Sequence, residues 1–428
     1  RFNNSISLLN ILGMSNSKIK KYDTAINYYQ KALKVDPNHP LTLFHLGVVF
    51  QDIFDFESSI RYYKRAIHSK SNYIDPLFNL SFIHKDLGNY KEAVDFLKKI
   101  IVINPNHLKA YQCLSEIICE YKYIFSNNTN LNILKKTIEL NSNPFKDFNI
   151  LLFYLNYSHY HSAKQIYSYY QQFDNKFGLP LQKEWQPFTP IKKPKKKLKI
   201  GYVSPDFRKH SAQDYLLPTL AHHDHQKFEV YAFAELSKED HVTKQYQSYV
   251  DHWIPTQNLT DQQMAQKIRD MEIDILVDLA GHTENNRLLV FARKPAPVSV
   301  TWLGYGYTTG LTAIDYFLTD KVMVPTGSEH LFSEQPWRMN NYGHCCYQAK
   351  TDMGEVGPLP ALKNGHITFG TLTRAIRIND RVIKVWANIL KRVKHSKLII
   401  NSEDFKKLEM LNHLEDKFNI LGISNEQL

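Results

Sequence analysis

A repeat of 34 residues runs through the first third of this 428-residue sequence and constrains its fold more than any other feature. Leu-Gly or Leu-Ser pairs begin at residues 12, 46, 80 and 114. Small side chains recur at the same interval, at Ala25, Ser59 and Ala93. One unit of this length cannot bury its own apolar face, so neighbouring units must stack to build a core. The repeat therefore predicts a solenoid.

The period and the pattern of small residues are those of the tetratricopeptide repeat, which is a pair of antiparallel helices. They predict three stacked pairs over Leu12–Ile103, with Leu46, Ala66, Leu80 and Ala93 buried. In the fourth unit, asparagines at 127, 128 and 130 occupy the place of the second helix, which we expect to fail there. Stacked pairs form a curved groove, which predicts protein or peptide partners.

Composition places the chain among soluble globular proteins of two or three domains. Hydrophobic residues make up 43% and charged residues 22% of the sequence. No apolar run approaches the ~18 residues that a membrane span needs. The four cysteines lack metal-ligand spacing, which predicts reduced thiols, a cytoplasmic location and no metal site. Because the sequence begins at Arg1 without a leader, we expect a fragment that is open at its amino end.

Positive charge is concentrated in one short run. The formal net charge is +11, and six lysines lie within residues 191–199. We interpret this run as a solvated linker, with a nucleic-acid or anionic-surface contact as the alternative. We expect no nucleic-acid partner. The run His222–His225 is interpreted in the same way, as a solvated turn rather than a metal site.

After a helical, non-periodic stretch at residues 134–173, the pattern changes to short β-type runs that alternate with helices. This alternation is typical of an open parallel sheet covered by helices. Strands are expected at residues 199–203, 229–233, 274–279, 298–302 and 316–318. A second unit of this kind begins at residue 367, with a helix over 380–393. Its buried face is predicted to contain Val382, Val385, Trp386, Ile389, Leu390 and Val393.

These patterns divide the chain into four segments. Tetratricopeptide repeats occupy residues 1–120, and a helical adaptor with the basic linker occupies 121–190. A first Rossmann-like lobe is expected over 191–350, and the start of a second lobe over 351–428. One strand-helix-strand unit is too small for a complete domain, so the second lobe is predicted to be incomplete.

Three polar loops follow predicted parallel strands, at residues 204–211, 280–286 and 303–310. The carboxyl ends of such strands share one edge of the sheet, so the loops should converge there. Each residue also has a structural interpretation: Asp206 can cap a helix, His210 can be a surface histidine, and His282 can belong to a turn. The candidate site residues are Asp206, His210, His282, Thr283, Leu303, Gly304 and Thr308.

Several motifs, in order, resemble those of the SPINDLY-like O-linked N-acetylglucosamine transferases. They are Gly-Tyr-Val-Ser-Pro-Asp-Phe at 201–207, Gly-His-Thr-(x)-Asn-Asn at 281–286, Arg-(x)-Pro-Ala-Pro at 293–297, Trp-Leu-Gly-Tyr at 302–305 and Thr-Phe-Gly at 368–370. The resemblance implies two Rossmann-like lobes of a glycosyltransferase. It also implies inverting transfer of N-acetylglucosamine from UDP-N-acetylglucosamine to protein Ser or Thr hydroxyls. The donor is a substrate, so no cofactor is expected.

The same resemblance suggests roles for the loop residues. Asp206 and His210 fall on the catalytic loop, with His210 as the proton acceptor. The substrate side takes His282 and Thr283 from the second loop, and Leu303, Gly304 and Thr308 from the third. In the groove of the repeats, related animal enzymes carry an asparagine ladder. Of the corresponding positions here (11, 45, 79 and 113), only Asn79 matches it.

Two alternatives stay open. One is protein fucosylation from GDP-fucose, which plant relatives of this pattern perform, and the other is a non-catalytic repeat scaffold. The lysine and histidine that hold the pyrophosphate in the family would lie beyond Leu428. We therefore expect the 428-residue chain to be inactive and its full-length parent to be active.

Overall fold

The fold is described from a computed structural model that covers residues 5–120, 127–188, 197–339, 343–347, 354–406 and 408–428. Internal contacts divide the chain into two units. One contains residues 1–147 and 363–428, and the other contains residues 148–362. The lysine run at 191–199 lies largely outside the described residues. No helix in the described part of the chain is long and apolar enough to cross a membrane.

Residues 5–120 and 127–140 form consecutive antiparallel helix pairs, as the 34-residue period predicts. Leu46, Ala66, Leu80 and Ala93 are all 0% exposed, which confirms the predicted core. The helices are α1 (Ile6–Lys18), α2 (Tyr22–Val35), α3 (Pro40–Asp52), α4 (Phe56–Ser69), α5 (Ile74–Asp86), α6 (Tyr90–Ile103), α7 (Leu108–Glu120) and α8 (Asn127–Leu140).

A glycine packed against a tyrosine ring sets the distance between the two helices of the first and second repeats. A Cβ added to Gly13 would lie 2.5 Å from the Tyr29 ring, and one added to Gly47 would lie 2.4 Å from the Tyr63 ring. The third repeat carries the smaller partner Leu97, and there the glycine is replaced by Ser81. A larger side chain in the first helix is therefore matched by a smaller one in the second helix of the same repeat.

The expectation that the fourth pair fails was wrong, because α8 forms and packs on α7. The Thr137 hydroxyl lies 2.8 Å from the Ser115 hydroxyl across the two helices. Asn130 is 1% exposed, and Leu134 packs in the core beside it. Burial of these side chains outweighs the weak helix propensity of the asparagines, which was the basis of the prediction.

In the second unit, two helices precede a seven-stranded parallel sheet whose strand order is β3-β2-β1-β4-β5-β6-β7. The strands are β1 (Leu198–Ser204), β2 (Phe228–Ala234), β3 (His252–Pro255), β4 (Ile275–Asp278), β5 (Val298–Thr301), β6 (Tyr316–Thr319) and β7 (Gln335–Arg338). The helices are α9 (Phe145–Asn156), α10 (Ala163–Phe173), α11 (Gln213–Ala221), α12 (His241–Ser248), α13 (Asp261–Asp270), α14 (Leu288–Phe291) and α15 (Pro360–Asn364).

The five strands expected in this region are present, and the sheet confirms the predicted α/β class. The two edge strands, β3 and β7, were not among the predicted strands. Each has four residues and includes a proline, so neither shows the apolar run that identifies a central strand. Thr260 caps α13, since its hydroxyl accepts from the Gln263 N–H at 3.2 Å.

Residues 363–428 contain a parallel pair of strands, β8 (Thr368–Leu372) and β9 (Lys397–Asn401). Between them lies α16 (Asp380–Arg392), and α17 (Leu408–Ile420) follows. The predicted buried face of α16 was partly wrong. Its buried residues are Ile383, Ala387 and Leu390, whereas Val385 is 56% exposed. Ile383 and Phe418 belong to the same buried cluster in this segment. Helix α16 therefore turns Ile383 towards the core, and its buried face differs from the face that its apolar residues predict.

The packing of glycine against tyrosine generates a prediction. In Gly47→Ser the new side chain meets the Tyr63 ring, so we expect the variant to lose about 1–3 kcal/mol of stability from overpacking. The double variant Gly47→Ser/Tyr63→Leu copies the pair found in the third repeat, and it should recover part of that loss. Urea denaturation followed by circular dichroism measures both. A double variant less stable than Gly47→Ser would contradict this account of the packing.

Candidate functional site

The register of the sheet brings the three polar loops to one edge. Val203 of β1 pairs with Asp278 of β4, and Asp278 pairs with Thr301 of β5. The Leu279 N–H donates to the Val203 carbonyl at 3.1 Å, and the Trp302 N–H donates to the Asp278 carbonyl at 2.9 Å. The loops that follow these strands therefore leave the sheet side by side at its carboxyl edge, where parallel α/β sheets bind ligands.

The first loop presents a carboxylate and an imidazole. Asp206 Oδ2 lies 3.7 Å from His210 Nδ1, and Asp206 Oδ1 lies 3.4 Å from the Arg208 guanidinium. The His210 side chain is 39% exposed and that of Asp206 is 16% exposed. The Ala212 N–H also points at His210 Nδ1, at 3.4 Å. This loop thus offers a solvent-accessible imidazole whose Nδ1 faces a carboxylate, which leaves Nε2 open.

A buried carboxylate, Asp278, organises the turn after β4. Its side chain accepts from the Ala280 N–H at 3.1 Å, from the Gly281 N–H at 3.0 Å and from the Thr301 hydroxyl at 2.8 Å. Burial raises the pKa of Asp278, and these three hydrogen bonds oppose the rise. Asp278 therefore ties the second loop to the start of the third. The only signal for it in the sequence is an acid at the end of an apolar run.

His282, which the sequence analysis placed on the substrate side, lies in the interior. It is 2% exposed. Its Nε2 lies 2.7 Å from the Thr309 carbonyl oxygen, and its Nδ1 lies 2.5 Å from the side-chain oxygen Oδ1 of Asn149. Burial lowers the pKa of His282 to about 3, so the ring is neutral. The neutral ring carries one proton and both neighbouring atoms are oxygens, so the ring donates either to the Thr309 carbonyl or to Asn149 Oδ1.

Aromatic rings enclose the His282 imidazole. The rings of Tyr170, Phe173 and Tyr305 approach it edge-on, with centroid distances of 5.2, 4.7 and 5.3 Å. Tyr170 and Tyr305 also share a hydrogen bond of 2.7 Å between their hydroxyls, and the Asn156 amide donates to Tyr305 at 2.7 Å. Helices α9 and α10 are therefore part of the structure that fixes the second and third loops.

Backbone geometry makes Gly304 irreplaceable in the third loop. A Cβ at this position would lie 1.7 Å from the carbonyl oxygen of Leu279 in the second loop. Leu303, which is half-buried, adopts a φ of +67°, in the left-handed region that side chains disfavour. The close approach of these two loops thus depends on the absence of a side chain at Gly304.

Thr308, which was expected to contact substrate, is fully buried and bound to a second interior carboxylate. Its hydroxyl donates to Glu334 at 2.5 Å, and the Thr309 N–H and hydroxyl donate to the same carboxylate. Burial raises the pKa of Glu334. Thr283 is half-buried, and its hydroxyl donates to the Ala280 carbonyl at 2.9 Å. The Thr308 hydroxyl is therefore committed to holding the loop.

A charge network fastens the end of the second loop to the neighbouring strands. The Arg287 guanidinium lies 2.7 Å from Glu235 and 2.8 Å from Asp261, and it also donates to the Thr256 carbonyl at 3.0 Å. Hydrogen bonding to the two acids raises the pKa of Arg287 against the effect of its burial. Arg287 was not among the predicted site residues, because its acidic partners lie 26 and 52 positions away in the sequence.

The histidine run at 222–225 has partners of its own. His223 Nε2 lies 2.8 Å from the Tyr202 hydroxyl, and His225 Nδ1 lies 3.0 Å from Asp251. Within the described ranges, no group of three or more His, Cys, Asp or Glu side chains is arranged to hold a metal ion.

Comparisons with known proteins agree with this arrangement. Residues 179–343 match the family described as "Glycosyl transferase family 41", and residues 6–39 and 74–107 match tetratricopeptide repeat families. A solved structure of a Thermobaculum terrenum O-GlcNAc transferase mutant superposes with a TM-score of 0.73 at 26% identity. The superposition covers 91% of the present chain and 73% of the chain of the Thermobaculum terrenum protein.

Two curated plant proteins are also similar. One, from Solanum lycopersicum, is the probable UDP-N-acetylglucosamine–peptide N-acetylglucosaminyltransferase SPINDLY, and it is 35% identical over 255 residues. The other is the probable enzyme of the same activity called SEC, from Arabidopsis thaliana, at 30% over 243 residues. The matches cover 59% and 52% of this chain but only 27% and 24% of the relatives. The chain thus spans about a quarter of their length.

The contact between the second and third loops predicts that Gly304→Ala disrupts the site. The new Cβ would collide with the backbone oxygen of Leu279, so we expect a loss of stability of about 1–3 kcal/mol or more. Gly306→Ala is the matched control, because its Cβ would meet only the end of the Met323 side chain, at 3.8 Å. Thermal denaturation of both variants tests the difference. Equal stability of the two would show that the loops do not approach as described.

The buried neutral imidazole of His282 predicts a dependence of stability on pH. Its pKa is about 3 in the folded chain and about 6.5 when unfolded, so on acidification the unfolded state takes up the proton first. The contribution of the neutral His282 ring to the free energy of unfolding is complete above about pH 6.5. It is lost progressively as the pH falls towards about 3. Between about pH 7 and 5, the chain should lose about 2 kcal/mol more than His282→Gln does.

Urea denaturation at the two pH values measures this difference. His330→Gln serves as the control. His330 is exposed, so its substitution should leave the pH dependence of stability unchanged. If His282→Gln retained the full pH dependence of the unsubstituted chain, the interior position of this ring would be wrong.

Proposed function

We propose that this chain, in which residues 179–343 are a Glycosyl transferase family 41 domain preceded by tetratricopeptide repeats, is part of a protein O-glycosyltransferase. The reaction is transfer of N-acetylglucosamine from UDP-N-acetylglucosamine to Ser or Thr hydroxyls, with inversion. One observation carries this proposal. The family match covers all three loops at the carboxyl edge of the sheet, and the similar plant proteins are named for this activity.

The chemistry needs a proton acceptor, because a Ser or Thr hydroxyl is a weak nucleophile. In the proposed step the hydroxyl oxygen forms a bond to the anomeric carbon while the bond from that carbon to the diphosphate oxygen breaks. The hydroxyl proton passes to His210 Nε2. His210 Nδ1 accepts from the Ala212 N–H at 3.4 Å, so the step uses the other tautomer, in which Nδ1 carries the proton and faces Asp206 at 3.7 Å. In that tautomer Nε2 is free to accept, and the Asp206 carboxylate stabilises the imidazolium that forms. Displacement from the opposite side inverts the anomeric centre.

The placement of the loops divides the remaining roles between contact and support. We assign contact with the donor or acceptor to Thr283, Leu303 and the backbone at Gly304, which lie at the edge and are partly exposed. His282 and Thr308 hold those loops from behind, because both are buried and hydrogen-bonded within the chain. All seven candidate residues thus keep a role, but His282 and Thr308 position the loops and do not contact the substrate.

Protein acceptors fit the repeats, whose groove-lining positions differ from an asparagine ladder. His45 stacks on Tyr29 with 5.6 Å between ring centroids, and the Asn79 amide donates to the Tyr63 hydroxyl at 2.8 Å. Ile11 is 54% exposed. The groove of this chain therefore offers apolar and aromatic contacts, which recognise side chains rather than the peptide backbone. We place the reaction in the cytoplasm, where nucleotide sugars and reduced cysteines are both present.

The test uses the complete gene product and two radiolabelled donors, UDP-N-acetylglucosamine and GDP-fucose, with mixed protein acceptors. Incorporation from the first donor alone is expected. Incorporation of label only from GDP-fucose would show that the donor is GDP-fucose and not UDP-N-acetylglucosamine. Absence of transfer from either donor, in a protein that binds neither of them by calorimetry, would favour a repeat scaffold.

A substitution at His210 tests the role of the proton acceptor. His210→Ala in the complete gene product should lower kcat by about 10²–10⁴-fold with a smaller effect on KM, because proton removal occurs in the transition state. His330→Ala, which removes an exposed histidine on a surface turn, should leave kcat unchanged. A His210→Ala enzyme with normal kcat would exclude this residue as the base.

A further inference from the structure

The second helices of the first three repeats carry the same pairing of a cation with an aromatic ring. Lys31 Nζ lies 5.6 Å from the centre of the Tyr28 ring, and Arg65 Cζ lies 5.7 Å from that of Tyr62. Lys99 Nζ lies 5.4 Å from the centre of the Phe96 ring. The three pairs are spaced by 34 residues, so they occupy equivalent places on α2, α4 and α6. Each ring supports the cation beside it, which reduces the freedom the side chain loses on binding.

Further cations share the exposed faces of these helices. Arg61 and Lys64 lie one turn from Arg65 and His68 on α4, and α2 and α6 add lysines at equivalent positions. We call the whole set the cationic stripe; it comprises Lys31, Lys34, Arg61, Lys64, Arg65, His68, Lys98 and Lys99. All eight side chains belong to exposed residues, and they recur across three repeats.

The stripe is concave at α4. A cavity of about 480 Å³ opens there, lined by Asn38, Glu57, Ile60, Arg61, Lys64, Arg65 and His68. The Arg65 guanidinium donates to the Pro37 carbonyl at 2.8 Å, which fixes one wall. Four of the seven lining side chains are basic, and one is acidic. The shape and charge suit an anionic group that enters from solvent.

Acids of the chain neutralise the stripe only in part, through Lys98, which lies 4.0 Å from Asp95. Among the residues that the structure describes, Arg61, Lys64 and Arg65 form no ion pair, although Glu57 lines the same cavity. Arg61 and Arg65 are one helical turn apart, so their like charges repel each other. An anion bound between them would remove this repulsion and gain several charge-assisted hydrogen bonds.

We propose that the cationic stripe is a docking site for an acidic polypeptide segment, with a carboxylate or phosphate side chain of that segment held in the cavity on α4. The segment crosses the exposed faces of α2, α4 and α6 and meets one supported cation in each repeat. This surface is separate from the groove positions, which belong to the first helix of each repeat. The proposal does not depend on the transferase activity.

Two features favour a polypeptide over other polyanions. Single-stranded nucleic acid binds through free aromatic faces, but these rings are half-buried and carry their own cations. The Tyr62 ring is also stacked with Phe50, at 5.3 Å between centroids. Glu57 and Asp95 lie among the cations, and they would meet the lipid phosphates of an anionic membrane. A peptide can place neutral residues opposite both acids.

The experiment measures binding of a fluorescein-labelled Glu-rich peptide to the 428-residue chain by fluorescence anisotropy. A peptide with Gln in place of each Glu is the neutral control. The Glu-rich peptide should bind more tightly, and its affinity should fall steeply between about 0.05 M and about 0.3 M salt. Arg61→Gln/Lys64→Gln/Arg65→Gln should weaken binding by about tenfold or more.

A second triple variant, Lys146→Gln/Lys164→Gln/Lys183→Gln, changes the net charge by the same amount at exposed positions that are not part of the stripe. It should bind the peptide as the unsubstituted chain does. Circular dichroism melting of both variants verifies that the repeats remain folded.

Three outcomes would overturn the proposal. The first is that the Glu-rich and Gln-rich peptides bind equally. The second is that both triple variants lose affinity to the same extent, which would show a dependence on net charge alone. The third is that single-stranded RNA, or vesicles containing phosphatidylserine, bind more tightly than the peptide and are released by the α4 substitutions.

Discussion

The carboxyl edge of the sheet depends on one buried imidazole. His282 joins the second loop to the third through Thr309 and to α9 through Asn149. A polar ring in the interior is costly unless its nitrogens have polar neighbours, and here an oxygen lies within 2.7 Å of each. Its aromatic neighbours come from α10 and the third loop. Loss of any one partner would leave a buried polar atom unsatisfied, so the loops and the two helices are fixed together.

Two interior carboxylates extend the same principle. Asp278 satisfies backbone N–H groups at the turn after β4, and Glu334 satisfies those of the third loop. Irregular loops cannot use a sheet ladder for their N–H groups, so a side chain must accept from them. Burial raises the pKa of both acids, and the hydrogen bonds they accept lower it. The residues that fix the loops at the carboxyl edge of the sheet are therefore mostly buried, whereas Asp206 and His210 are accessible to solvent.

In the repeats, packing follows a different rule. The interior is apolar and its spacing is set by residue volume, as the pairing of Gly47 with Tyr63 shows. Because the repeats have the same length, equivalent surface positions lie in line, and in the first three repeats those positions hold a cation and a ring. The stacking of equivalent helices thus allows one helix face to become an extended polar surface.

The sequence by itself determined the helix pairs, the five central strands and the positions of the three polar loops. Those features depend on local periodicity, on apolar runs and on the common edge of parallel strands, all of which can be recognised in a single chain. The edge strands β3 and β7 lacked such a run. The asparagine-rich start of α8 suggested a broken helix, and packing on α7 outweighed that propensity.

Only the tertiary structure decided which loop residues face solvent. His282 and Thr308 have the residue types of a binding site, but Asn149 lies 133 positions from His282 and Glu334 lies 26 positions from Thr308. No local pattern shows that these partners will meet. The rotation of α16 was likewise set by its neighbours, since Val385 is as apolar as the residues that became buried. Composition and period define which elements form, whereas burial of a particular side chain depends on partners that only the folded chain brings together.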